Sequence, residues 1–486
     1  MKRFVCCVLL IISSPNWGFG IASVGNQRRA HAALQQTAQS RSDASLEAVR
    51  RQDREARNAR GVITRLTPEE HLRRATVYHS NRAFDEAREH WQALINYYPE
   101  DSRVAEALFG IGRSFFQSRR YSEAYNYYER VARAYSSTKE GREGLNFSAA
   151  ALLRLGRASE AADRYIEYIN RFPSGERIDT AHLNAIDTLR EAGRNQEATQ
   201  WISLTKQKFA GTATETNATF AQLRLEVSQG DWNRAVQTAD QLSRSTFSKA
   251  VATNASEVAY LKAYALDRAG NKEAAIAGYL ALPSGIDSYH GWLAADHLSS
   301  MISDSRRTTL KDRMERNSSQ ATSLADRYPV RYRAAILSAS KARKIDPRLI
   351  LAIIRQESVF RPMAKSPAGA RGLLQLTIDA AQKYATNAGV RGLMESQLYQ
   401  PETSILIGSE YIKELFDLFP NMPEAVAASY NGGEDNVARW VKRARQKDPG
   451  VLTSEIGFDE TKAYVQKVMN NYRVYKLLYK DDLTRQ

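Results

Sequence analysis

Glu357 is the only acidic residue between Asp346 and Asp379, and it closes a stretch, Arg348 to Glu357, whose spacing is that of a helix. Asp346 followed by Pro347 marks the start, an N-cap residue ahead of a proline at the first helical position. Three, four and seven residues before Glu357 stand Ile354, Ile353 and Ile350, which share its face. A carboxyl held among isoleucines loses hydration, so its pKa rises and it stays protonated near neutrality. A general acid needs that property. The competing reading is a surface glutamate paired with Arg355 or Arg361, and spacing alone leaves both open. Downstream, Phe360, Pro362 and the small-residue run from Ser366 to Leu376 predict a loop that lets backbone amides approach a bulky ligand. Ala428-Ser429-Tyr430-Asn431-Gly432-Gly433 predicts a helix end that presents Tyr430 and Asn431.

Other chemistries are excluded by what is missing. Residues 331–486 hold no histidine and no cysteine, since all seven histidines precede residue 300 and the two cysteines are Cys6 and Cys7. A Ser-His-Asp triad, a Cys-His pair and a His- or Cys-ligated zinc are therefore impossible within this segment. No phosphate-cradling glycine loop with a following lysine occurs. Carboxylates are left as acid–base candidates, and no cofactor or metal is expected. The segment carries 24 Lys plus Arg against 17 Asp plus Glu, and the whole chain of 486 residues is +15, which suits an anionic polymer as partner.

The elements that must position these residues begin with the N-terminus. Lys2 and Arg3, an apolar run from Phe4 to Ile12 and small residues to Ser23 read as a secretory signal over 1–23, too short to span a bilayer. Residues 24–62, poor in large apolar side chains, read as a polar, flexible or weakly helical lead-in. Ala87, Ala124, Ala161, Ala198 and Ala235 then recur every 37 residues, with Ala274 following after 39. Each stands just after a turn-like stretch such as Leu155-Gly156-Arg157 or Ala192-Gly193-Arg194. One such unit is a helix–turn–helix pair that cannot bury its apolar stripe alone, so neighbours stack into a solenoid over 63–282. Residues 30–282 contain three prolines and 283–486 contain nine, which sets a boundary near Pro283. A linker over 283–330 and a C-terminal domain over 331–486 follow. The expected class is all-α.

Three motifs carry a resemblance. They are Gln356-Glu357-Ser358 with Phe360 and Pro362, the run Ser366-Pro367 through Gly369-Ala370, Gly372-Leu373 and Gln375-Leu376, and Ser429-Tyr430-Asn431-Gly432-Gly433. With Pro401-Glu402, Tyr411-Ile412, Ile456 to Lys462 with Tyr464-Val465, and Tyr289-His290-Gly291-Trp292 earlier, they are similar in order to the soluble lytic transglycosylases. The repeats resemble tetratricopeptide units. Two departures are Leu374, where methionine is common, and Ile456-Gly457, where Ile-Pro is usual. The resemblance implies a lysozyme-like C-terminal domain that cleaves the β-1,4 bond between N-acetylmuramic acid and N-acetylglucosamine in peptidoglycan without water, leaving a 1,6-anhydro sugar. It assigns Glu357 as acid and then base. Ser366, Gln375, Tyr430, Asn431 and Glu460 would hold the sugar and its N-acetyl group. No second acid stands at a fixed offset from Glu357; Glu460, Asp379 or Glu402 could be brought near by folding.

Each of these residues also has a plainer reading: Ser366 as an N-cap, Gln375 as a capping amide, Tyr430 as core, Asn431 as a left-handed turn residue. For the whole chain the alternative is a non-catalytic envelope scaffold that binds peptidoglycan and partner proteins through its repeats. The expected setting is the periplasm, with glycan strands as substrate, envelope proteins as possible partners of the repeats, no nucleic acid and no stable membrane insertion.

Overall fold

The periodic alanines work because they are small. In the computed structural model, which describes residues 44–486 apart from 60, 303 and 367, helices pair in sequence. Pro68–Ser80 packs on Phe84–Tyr97, Val104–Gln117 on Tyr121–Ala134, Lys139–Arg154 on Ala158–Arg171, and Ile178–Glu191 on Asn195–Lys208. Ala213–Gln229 with Trp232–Leu242 and Ala255–Arg268 with Lys272–Ala281 continue the pattern. Ala87, Ala124, Ala161, Ala198 and Ala235 are all fully buried near the start of the second helix of their pairs. In the sixth pair the buried position is Ala275 and not Ala274, a slip of one residue caused by the longer loop before that pair. The intra-pair turns need a left-handed residue. Gly156, Gly193, Gly230 and Gly270 supply it in four pairs, and Arg82 and Arg119 adopt it in the first two.

The chain divides into two compact units, one ending at Phe209 and one spanning Ala210–Gln486. The division falls inside the repeat array and not at the change in proline density near Pro283. The last two helix pairs therefore share a unit with the C-terminal domain, because one continuous core runs from Phe220 and Tyr260 through Trp292 and Leu298 to Ile353, Trp440 and Tyr475. The first unit is organised around two cores, one holding Val49, Trp91, Leu108 and Tyr128, the other Leu145, Tyr168 and Ala185.

Of the two readings of the lead-in, the helical one holds over residues 44–56, which are not a flexible tether. Val49 and Asp53 are buried, and Asp53 accepts hydrogen bonds from the Tyr78 hydroxyl and Arg74 and lies 2.9 Å from His90 Nε2. These bonds hold its carboxyl near pKa 2, against burial that pushes the other way. Asp53 is thus the buried polar anchor of this segment, with Val49 in the adjoining core and the Gln52 side-chain oxygen accepting from Arg73. The signal expected over 1–23, and residues 24–43 of the lead-in, lie outside the described residues.

Among the described residues the second unit is entirely helical apart from isolated bridges such as Arg371 with Leu376. Within this unit the helix Tyr289–Met301 follows the last repeat pair, and its Tyr289 carbonyl accepts from Arg473 of the last long helix, Asp459–Leu478. Pro347–Ser358 lies against Asp459–Leu478, and these two helices frame the candidate site.

Candidate active site

Pro347–Ser358 starts where the sequence places it, with the Asp346 carboxylate accepting from the Arg348 amide at 2.9 Å. Leu349 to Ile354 are buried on every side, so this is a core helix with one polar end. Glu357 sits at that end, partly open to solvent, its carboxyl hemmed in by protein. Burial raises its pKa to about 7; a hydrogen bond from Tyr464 pulls the other way, and the Glu460 charge adds to the rise. Neither competing arginine pairs with it. Arg355 donates to Asn471 and to the Arg327 carbonyl and lies over the Tyr328 ring, while Arg361 donates to the Ser358 carbonyl at 3.1 Å. Of Glu460, Asp379 and Glu402, Glu460 is the acid whose charge acts on Glu357.

After Ser358 the chain turns through two left-handed residues, Val359 and Phe360. Phe360 is buried and Val359 is exposed. A β-branched residue in that region is strained, and the strain sits beside the acid. The loop that follows is held by its own polar groups. Ser366 Oγ accepts from the Ala370 amide at 3.0 Å, and Gln375, itself left-handed, donates its amide nitrogen to the Ala364 and Gly372 carbonyls at 3.1 and 2.8 Å. Leu374 is buried against Gly408, where any Cβ would collide with it.

Pro423–Gly432 brings Tyr430 and Asn431 to the same region. Tyr430 donates to the Leu374 carbonyl at 2.7 Å and packs on the Tyr411 ring, with centroids 5.1 Å apart. Asn431 Oδ1 accepts from the Thr461 hydroxyl at 2.7 Å. Loop, short helix and last helix are thereby tied together. Glu357 and Glu460 are joined electrostatically, Tyr430 and Asn431 brace the frame, and Ser366 and Gln375 shape the loop.

Tyr464, which the resemblance includes in a motif without a role, meets the acid. Its hydroxyl donates to Glu357 Oε1 at 2.7 Å, and burial together with the neighbouring carboxylate raises its own pKa well above 10, so it remains a donor. The signal that could have found it is the spacing Glu460–Tyr464, one helical turn apart on one face. Tyr464→Phe is expected to raise the Glu357 pKa, because the lost bond favours the ionised form. A charge-assisted bond of about 1.5 kcal/mol moves the titration up by about one pH unit. The carboxyl ¹³C shift of Glu357 followed against pH measures this, and an unmoved midpoint would count against the assignment.

Residues 334–452 match the Transglycosylase SLT domain family, and residues 72–138 match a tetratricopeptide repeat family. The soluble lytic murein transglycosylase of Escherichia coli is 31% identical over 163 residues, covering 33% of this chain and 25% of that protein. That of Salmonella typhimurium is 33% identical over 150 residues, covering 30% and 23%. The matched stretch thus spans about a quarter of these relatives' own length. An inactive mutant of lytic transglycosylase Slt from Pseudomonas aeruginosa superposes with a TM-score of 0.49 at 19% identity, covering 93% of this chain and 88% of that one. The chain resembles the soluble lytic transglycosylases, with a tetratricopeptide-like N-terminal half.

Proposed function

We propose that this protein is a peptidoglycan lytic transglycosylase that cleaves the β-1,4 bond between N-acetylmuramic acid and N-acetylglucosamine and forms 1,6-anhydro-N-acetylmuramic acid. The observation that carries the reading is the Glu357 carboxyl, raised to about 7 by burial and met by one neutral donor. Near neutrality such a group exists in both forms, which a residue serving as acid and then base requires. In the first step Glu357 gives its proton to the glycosidic oxygen as the bond from C1 breaks. In the second, the sugar's 6-hydroxyl attacks C1 and its proton returns to Glu357, so no water is consumed. Retaining hydrolases instead use a second carboxyl about 5–5.5 Å away as nucleophile. Glu460 is exposed, and its charge adds to the rise that burial of Glu357 causes, while the substrate's own acetamido group assists at C1.

Ser366, Gln375, Tyr430, Asn431 and Glu460 stand as the residues that seat the sugar, Tyr430 and Gln375 by fixing the loop around Leu374 and Asn431 through its tie to Thr461. The setting we propose is the periplasm. Among the described residues no helix is long and apolar enough to cross a membrane. The repeats are proposed to engage envelope proteins. Mass spectrometry of digested sacculi tests the reaction: anhydro-muropeptides as the soluble product are expected, and muramic acid with a free reducing end as the only product would overturn it.

A further inference from the structure

The first turn of Asp459–Leu478 sends side chains in two directions. Thr461 and Tyr464 reach Asn431 and Glu357. Lys462 goes the other way, into the repeats. Its Nζ donates to both oxygens of Glu257, at 3.1 and 3.2 Å, and to the Ala252 carbonyl at 2.9 Å, and it lies 5.0 Å from the Phe220 ring centroid. Glu257, on Ala255–Arg268, is completely buried and also accepts from the Thr253 hydroxyl at 2.7 Å. Two further buried polar links tie the segment just before that helix, at either end of Pro449–Ser454. Glu455 accepts from Arg443 and from Arg224 of the repeat helix Ala213–Gln229. Asp448 accepts from the Tyr260 hydroxyl at 2.8 Å and lies 2.9 Å from His297 Nε2.

Buried charge pairs are poor glue. Desolvating both ions costs about as much as their attraction returns, and a well-packed apolar pair holds as firmly or better. What such a pair does supply is geometry, because only one placement satisfies all its bonds. An apolar contact would let a helix slide, and a slide of one ångström at Tyr464 breaks a 2.7 Å bond to the acid.

We propose that Lys462 and Glu257 are positioning residues, which fix Asp459–Leu478 along its axis and thereby hold Tyr464 on Glu357, so that the last two repeats are part of the catalytic centre. This deepens the function proposed above and rests on it. Both residues act through Tyr464 and neither touches the substrate.

The test uses the full chain carrying Lys462→Met together with Glu257→Leu, which removes both charges and leaves no buried ion unpaired. Three properties are compared with wild type: melting temperature, the Glu357 titration by carboxyl ¹³C NMR (assigned by its loss in Glu357→Gln), and sacculus digestion. Besides burial, the groups acting on the Glu357 titration are the neutral Tyr464 hydroxyl and the Glu460 charge, and neither is altered. The expected result is a melting temperature within a few degrees of wild type, a Glu357 midpoint displaced upward as in Tyr464→Phe, and kcat at least tenfold lower with KM unchanged. Added to Tyr464→Phe, the pair of substitutions is expected to do nothing further, since both break one linkage. An unmoved midpoint with wild-type kcat, or effects that add to those of Tyr464→Phe, would overturn the proposal. If the pair does not fold, Glu257→Gln keeps the shape and one acceptor and carries the same readouts. A displaced midpoint in a protein that releases no anhydro product would leave the positioning role standing and sink the lytic reading instead.

Discussion

Glu357→Gln is expected to lower the release of anhydro-muropeptides by about 10²–10⁴-fold, the range of a positioned general acid–base, with the fold intact. The amide keeps the acceptor that Tyr464 donates to and removes only the transferable proton. The same substitution is expected to stabilise the protein above neutrality. Glu357 has a folded-state pKa of about 7 against an ordinary 4.5. Its raised value favours the native state fully below pH 4.5, and that contribution is lost as pH rises through 7. A glutamine has no proton to lose. The variant's advantage therefore opens between pH 4.5 and 7 and levels off at no more than about 3 kcal/mol, since the carboxyl keeps some solvent contact. Activity in the wild type is expected to fall above pH 7, as the acid ionises before it meets the glycosidic oxygen. Thermal melting at pH 4, 6 and 8 and a pH–rate profile check both. Equal melting temperatures at pH 8, together with residual lysis near wild type, would remove Glu357 from the mechanism.

Gly372→Ala is expected to be the most damaging single methyl in the loop. Gly372 has φ of 77°, and a Cβ there would overlap the Leu398 carbonyl oxygen and crowd Ser404 Oγ. Its own carbonyl accepts from Gln375, and Ser404 accepts from the Leu374 amide at 3.3 Å. Left-handed strain and overpacking together cost about 3 kcal/mol or more. The loop must shift, and with it the Leu374 carbonyl that fixes Tyr430, so lysis falls too. Gly392→Ala is the control: it has φ of 61° with nothing within 4 Å of a built Cβ, so it meets only the strain, about 1 kcal/mol. Urea unfolding of both variants separates the two contributions. Equal losses at the two positions would mean the Leu398 backbone yields freely and the loop is not held as described.

Local rules made much of this protein legible along the chain. A capped helix of apolar residues ending in one acid specified where Glu357 stands and why its proton is held, because capping and helical spacing act within a few turns. The recurrence of alanine specified the repeat pairs for the same reason, failing only at Ala274, where a longer loop changes the count. The helical reading of the lead-in holds over 44–56, but its docking was not legible, because Asp53 finds Arg74, Tyr78 and His90 more than twenty residues away. Tyr464 lies 107 positions from Glu357, and Lys462 lies 205 from Glu257. No periodicity connects such distances. They are settled only when one core, reaching from Phe220 to Leu483, packs the last repeats and the C-terminal helices into a single unit. The sequence chose the acid; tertiary packing chose the phenol that meets it and the buried lysine that keeps the phenol in place.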